Sequence, residues 1–245
     1  MATLAAPPVG RLAERRFYSG LAVAMLATIV LGFARSFFFR SWFPEHVAPS
    51  ERLFYVHGLV FTAWCVLMVV QPLLVAAGRT DVHRRLGWAG AAIAVAMVVL
   101  GVYGSLVAAR RPGGFFDVPV PPLEFLAVPL ADMVLFPAFV GLAIAWRRDV
   151  QSHKRLLVLA SVNLLNAGVA RWPFAFIAAG PVPSLVITDL FILALAAWDL
   201  ASRGRLHPVT LWGGLAIVAS QPLRVVLSGT EAWLSFARWA VGLLG

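Results

Sequence analysis

The chain has one cysteine, Cys65, among its 245 residues, and it sits inside an apolar run. Disulfides and cysteine-based metal clusters are therefore excluded, and Cys65 reads as a small core residue. Lysine is equally scarce: Lys154 stands alone among 20 basic residues, a bias typical of high-GC bacterial genes. Charge of either sign is sparse, at 13% of residues against about 25% in an ordinary soluble domain. Gly-x-Ser-x-Gly, His-Glu-x-x-His, a phosphate-binding glycine loop and Cys-x-x-Cys are all missing. Catalysis by a familiar soluble-enzyme constellation is not expected.

What the chain does have is apolar residues, 61% of the total, with a mean hydropathy of +0.86. Apolar runs and their breakers mark spans near 17–38, 52–78, 83–109, 122–147, 153–178, 182–202 and 207–228. At about 20 residues per span these account for roughly 140 residues, leaving no room for a separate soluble domain. The expected fold is all-α: an integral membrane bundle of about seven transmembrane helices in a single domain, 1–245. A last stretch, 231–244, holds Trp233, Phe236 and Trp239 and reads as an amphipathic interfacial helix. The first run follows Arg11, Arg15 and Arg16 as a signal sequence would. It continues to Phe39 without a small-x-small cleavage site, so it is kept as a span.

The formal charge of +9 lies in short turns between apolar runs, which points to topology and lipid headgroup contact, not to nucleic acid. Twelve Lys and Arg, from Arg11 to Arg205, fall on one side of the alternating spans, and eight, from Arg35 to Arg238, on the other. The positive-inside rule then places the N-terminus in the cytoplasm and the C-terminus outside, in a bacterial cytoplasmic (inner) membrane. The expected partners are the lipid bilayer and other membrane subunits.

Three turns on the basic side each deliver a histidine to the start of the next span: His83, His153 and His207. This weak repeat suggests three hairpins preceded by one extra helix. Asp81 and Ser152 are candidate N-caps, and Pro208 suits a first helical turn.

Ionisable side chains within spans are costly unless paired, so they carry the most information. His57, Asp132, Asp189, Arg171 and Arg224 all fall in the outer half of their spans, and Asn163, Asn166 and Gln221 lie somewhat deeper. These eight are the candidate ligand-binding pocket; the alternative is a set of interhelical Asp–Arg pairs that only fix packing. Prolines gather nearby, with Pro129 and Pro137 around Asp132, Pro173 after Arg171, and Pro222 between Gln221 and Arg224.

Two helical stripes accompany them. His57, Phe61, Trp64, Met68 and Gln71 share one face of the second span, and His83, Gly87, Gly90, Ala94, Met97, Gly101, Gly104 and Ala108 one face of the third. A small-residue face opposite an aromatic, histidine-tipped face suits either close helix packing or a flat ligand such as haem or a quinone. Haem b between helices usually takes two facing histidines, whereas only His57 lies in the outer half. His83, His153 and His207 are the further cofactor candidates should their helices converge. Arg84, Arg85, Lys154 and Arg155 beside them repel cations, so no metal is assigned.

The turns His83-Arg84-Arg85-Leu86-Gly87 and His153-Lys154-Arg155-Leu156 resemble motifs of an uncharacterised bacterial polytopic membrane protein family, a domain of unknown function. The His-Arg-x-x-Gly element is also loosely similar to b-type cytochromes and ferric-reductase-like membrane proteins. The resemblance covers spans two to five and implies a helical bundle with haem or quinone chemistry. Three functions stay open: a small-molecule or redox protein using the outer pocket, a transporter of a small solute, and an accessory or scaffold subunit of a larger membrane complex.

Overall fold

A computed structural model describes residues 10–45, 51–116, 118–178 and 180–244, which form helices and connecting turns with no strand among them. The long elements are α1 (Arg11–Gly32), α2 (Arg52–Ala76), α3 (Thr80–Arg110), the single turn α4 (Pro122–Phe125) continuing into α5 (Ala127–Ala145), α6 (Val150–Val169), α7 (Pro181–Arg203) and α8 (Pro208–Ser228). A shorter α9 (Glu231–Gly242) follows. Six of these, counting α4 and α5 together, are long and apolar enough to cross a membrane: α1, α2, α3, α4–α5, α7 and α8.

The exception is α6, and here the expected fifth span, 153–178, is corrected. Helix α6 begins three residues earlier and ends at Val169. The ring of Pro173 would clash with the Val169 carbonyl four residues back, and proline disfavours helical backbone in the residue before it. His153, Lys154 and Arg155 in its first turns, with Asn163 and Asn166 further along, make α6 too polar for a lipid-facing helix. It has no need to face lipid, because α1, α5, α7 and α8 all pack against it and leave 12 of its 20 residues buried.

Short turns join α2 to α3, α5 to α6 and α7 to α8 at one end of the bundle, and longer connections lie at the other. Helices α1, α2, α3, α5 and α6 close a ring in which each contacts the next and α6 returns to α1. Helices α7 and α8 complete the bundle on the far side of α5 and α6. At the long-loop end α9 packs on α3 and α4, where the Trp233 indole donates to the Leu123 carbonyl at 2.8 Å.

The ring is tightest where α1 meets α6. A Cβ on Gly32 would overlap the Gly168 carbonyl oxygen and lie 2.6 Å from the carbonyl carbon. Beyond this contact α1 changes to a π turn (Ala34–Phe38), short of the expected end of the first span at 38 as regular helix. Two caps also differ from expectation. Asp149, not Ser152, caps α6, accepting from the backbone N–H of Gln151 at 3.0 Å and of Ser152 at 3.3 Å. Asp81 lies in the first turn of α3 and pairs with Arg79 at 3.5 Å, since Gly78, at φ 75°, lets the chain re-enter helix almost at once. Pro208 takes the first turn of α8 as expected, with the His207 Nδ1 accepting from the Val209 N–H at 3.1 Å.

These caps have acid–base consequences outside the spans. The Ser152 hydroxyl and backbone N–H, with the Gln151 N–H, hold the Asp149 carboxyl below its ordinary value. Burial, reinforced by Arg155 and Arg203, lowers His207 and favours the neutral imidazole that its cap requires.

Candidate functional site

The five-helix ring surrounds a cavity of about 1150 Å³. Its lining runs along α2 from Arg52 at the long-loop end to Met68, a stretch of about 24 Å at 1.5 Å rise per residue. The α2 stripe is its wall: His57, Phe61, Trp64 and Met68 all line it, while Gln71 lies below.

The small-residue stripe of α3 divides in two. Toward the short turns it packs, and a Cβ on Gly90 would lie 2.8 Å from a Leu67 methyl. Toward the long loops, Met97, Gly101, Gly104 and Ala108 face the cavity. Even there Gly101 is close-packed, since a Cβ on it would overlap the Met133 sulfur, so packing accounts for much of the stripe.

His57 stacks on Phe61 with ring centroids 4.0 Å apart and 16° between planes. Across from it lies Gly104 of α3, where a Cβ would sit 3.8 Å from the His57 Nδ1, in ordinary van der Waals contact. The His57 Nδ1 has no hydrogen-bond partner, and neither does the Oδ1 of Asn166 on the same cavity wall. An unmade hydrogen bond at a buried polar atom costs about 1–3 kcal/mol, and both of these atoms lie enclosed behind the cavity surface.

The eight pocket candidates do not all converge. His57, Asp132, Asn166 and Arg171 line the cavity; Asn163, Asp189, Gln221 and Arg224 do not. Arg224 crosses from α8 to donate to the Asp132 carboxylate at 2.6 Å, and its other terminal nitrogen reaches the Asn163 side-chain oxygen at 3.3 Å and the Ser220 hydroxyl at 3.2 Å. Asp132 is thus a cavity group with a built-in counter-charge. The second expected Asp–Arg pair is replaced: Asp189 accepts from Gln221 at 2.8 Å between α7 and α8. Arg171 turns back instead, donating to the Ala167 carbonyl at 2.6 Å with its guanidinium 5.1 Å over the Phe33 ring. Of the four prolines, only Pro137 and Pro222 lie inside helices; Pro129 falls in the first turn of α5 and Pro173 in the connection after α6.

The rim histidines do not form a joint site. The His207 Nδ1 is committed to its cap, and the His153 Nδ1 lies 2.8 Å from the Ala143 carbonyl. His83 is left with an unpartnered Nδ1. Among the described residues no group of three or more His, Cys, Asp or Glu is placed to hold a metal ion. His57 is the one histidine of the described residues that lines the cavity.

Sequence reasoning missed a second charged centre at the short-turn end. Arg155, grouped with basic residues of the rim, is instead fully enclosed and ion-paired with Asp199 of α7, at side-chain exposures of 1% and 0%. The second Asp199 oxygen accepts from the Thr210 hydroxyl at 2.5 Å and the His207 N–H at 3.1 Å. Lys154 likewise turns inward to Glu14 of α1, its ammonium 4.4 Å over the Tyr18 ring. One signal was available: Asp199 near a helix C-terminus opposes the helix dipole and calls for a cation. Arg203, four residues on, offered a local partner and masked the distant one.

The lining as a whole grades from charged to apolar. At the long-loop end it includes Arg35, Arg40, Arg52, Arg111 and Arg171, and at depth Met25, Met68, Met97 and Met133. Those four are every methionine of the chain apart from Met1. In comparisons with known protein families, curated proteins and solved structures, the chain finds no match.

Proposed function

We propose that this chain is a multi-pass protein of the bacterial cytoplasmic membrane that holds a small molecule in the ring cavity. Helix α6 crosses as a seventh span shielded by its neighbours, with the N-terminus in the cytoplasm and the cavity open toward the outer face. The observation that supports it best is the cavity itself, about 1150 Å³, with His57, Asn166 and Asp132 among its lining residues. Ligand sites commonly combine a mostly apolar volume of this size with a few placed polar groups. Asp132, already neutralised by Arg224, adds a carboxylate to the wall that accepts a hydrogen bond without an unbalanced charge.

The test is extraction of the protein purified in mild detergent, followed by mass spectrometry of the extract. The wild type should carry a reproducible, near-stoichiometric small molecule, and Gly104→Leu, which grows a side chain toward His57, should lose it while keeping its melting temperature within a few degrees. Equal recovery from both would overturn the cavity as the site.

A quinone is a second reading, supported by the stacked His57–Phe61 pair on the cavity lining. Oxidised and dithionite-reduced absorption spectra separate it from haem: a Soret band would replace quinone by haem, and a quinone band in the ultraviolet alone would favour the quinone.

A further inference from the structure

Resting on the reading of the cavity as a binding site, we propose that its ligand is a long-chain amphiphile with an oxyanion headgroup, a carboxylate or a phosphate, seated head outward among the arginines. Two independent features of the lining carry this.

The first is charge. Among the described residues the lining holds five arginines, no lysine, no glutamate and one aspartate, Asp132. Arg224 already neutralises that aspartate. Arg111 is paired with Glu51 at 3.3 Å, whereas Arg35 and Arg52 have no carboxylate within ion-pair distance among the described residues. Arg35 is instead held with its guanidinium 5.7 Å from the Phe43 ring centroid. Guanidinium groups gathered around one opening attract an anion and match carboxylate and phosphate geometry with paired N–H donors.

The second is the far end. Below His57 the lining becomes Phe61, Trp64 and Met68 on α2, facing Met97 on α3, Met25 on α1 and Met133 on α5. Methionine is unbranched and flexible, and a wall built from it adapts to an apolar chain better than to a rigid polar solute. The lining runs about 24 Å along α2 from Arg52 to Met68 and narrows at its foot, where Met97 is fully buried and Trp64 and Met25 nearly so, and headgroup and tail regions adjoin along it. A free inorganic anion would use only the mouth, and a neutral apolar molecule only the depth.

The experiment measures quenching of the intrinsic tryptophan fluorescence, since Trp64 and Trp172 both line the cavity. The full chain in detergent is titrated with palmitate, with hexadecanol and with inorganic phosphate. Palmitate should bind at least tenfold more tightly than hexadecanol, and phosphate should not compete with it at millimolar concentration. The double variant Arg35→Gln/Arg52→Gln, at exposed positions that leave folding unaffected, should erase the preference for palmitate while leaving hexadecanol binding within twofold. Equal affinities for the two long-chain probes in the wild type would overturn the headgroup assignment and leave the cavity reading standing. Competition by phosphate at low millimolar concentration would overturn the tail assignment. Failure of both long-chain probes to bind, with no molecule in the extract, would overturn the proposal together with the cavity reading.

Discussion

Arg155 and Asp199 meet where neither side chain reaches solvent: the guanidinium addresses one carboxylate oxygen through both Nε and a terminal nitrogen, while Thr210 and the His207 N–H take the other. The pair ties α6 to α7 and, through Thr210, to α8. Removing one member leaves an uncompensated charge in a dry site, which typically costs about 3–5 kcal/mol. Asp199→Ala should therefore lower the melting temperature in detergent sharply. Arg155→Met/Asp199→Leu should recover most of the loss, because two apolar groups of similar volume avoid the stranded charge. A double variant no better than the single one would show that the hydrogen bonds to Thr210 and His207, not the ion pair, hold this end.

The α1–α6 contact makes a different prediction. Gly32→Ala places a methyl against the Gly168 backbone, which cannot rotate away as a side chain would. The helices must part, at a cost of about 1–3 kcal/mol. By contrast Gly104→Ala meets nothing closer than 3.8 Å and should leave the melting curve unchanged. Similar losses for both variants would refute the close approach at Gly32.

Stability at the short-turn end should fall with acid. His207 is lowered in the folded protein, so folding favours its neutral form. That contribution is complete above the unfolded value of about 6.5 and shrinks as pH drops below it. Asp149 is also lowered, so its cap contributes above the unfolded value of about 4 and is lost only in stronger acid. Melting temperatures between about pH 7.5 and 5.5 should decline in the wild type and decline less in His207→Ser, which keeps a capping oxygen without the titration. Parallel curves would remove His207 as the cause.

Capping itself can be tested without acid. Asp149→Ala should cost about 1 kcal/mol, and Ser152→Ala appreciably less, since Asp149 accepts two backbone N–H groups while the Ser152 hydroxyl only supports it. The reverse order would restore Ser152 as the cap.

What was legible in the sequence was whatever a single helix decides. The stripe His57, Phe61, Trp64 and Met68 is fixed by helical spacing, and it is a cavity wall. The same holds for Pro208 in a first turn. Pairings between helices were not legible, because depth along a span does not say which way a side chain faces. Asp189 and Arg171 share a depth range and nevertheless turn to Gln221 and Ala167. Arg155 shows the same limit: a base in a basic turn reads as solvated, and only its place on the central helix reveals that it points inward to a carboxylate 44 residues away.

The position of α6 also bears on how the protein is made. Arg155 is synthesised well before Asp199, 44 residues downstream, and before α8, which supplies Thr210. Until then Arg155 lacks the carboxylate that it meets in the folded chain, and α6 is not among the helices long and apolar enough to cross a membrane. If α6 crosses the membrane as proposed, its insertion follows that of α7 and α8, which bring the counter-charge and the covering surface. A chain that ends before Asp199 would leave the Arg155 guanidinium without the carboxylate that encloses it, so this end of the bundle is completed only when α7 and α8 are in place.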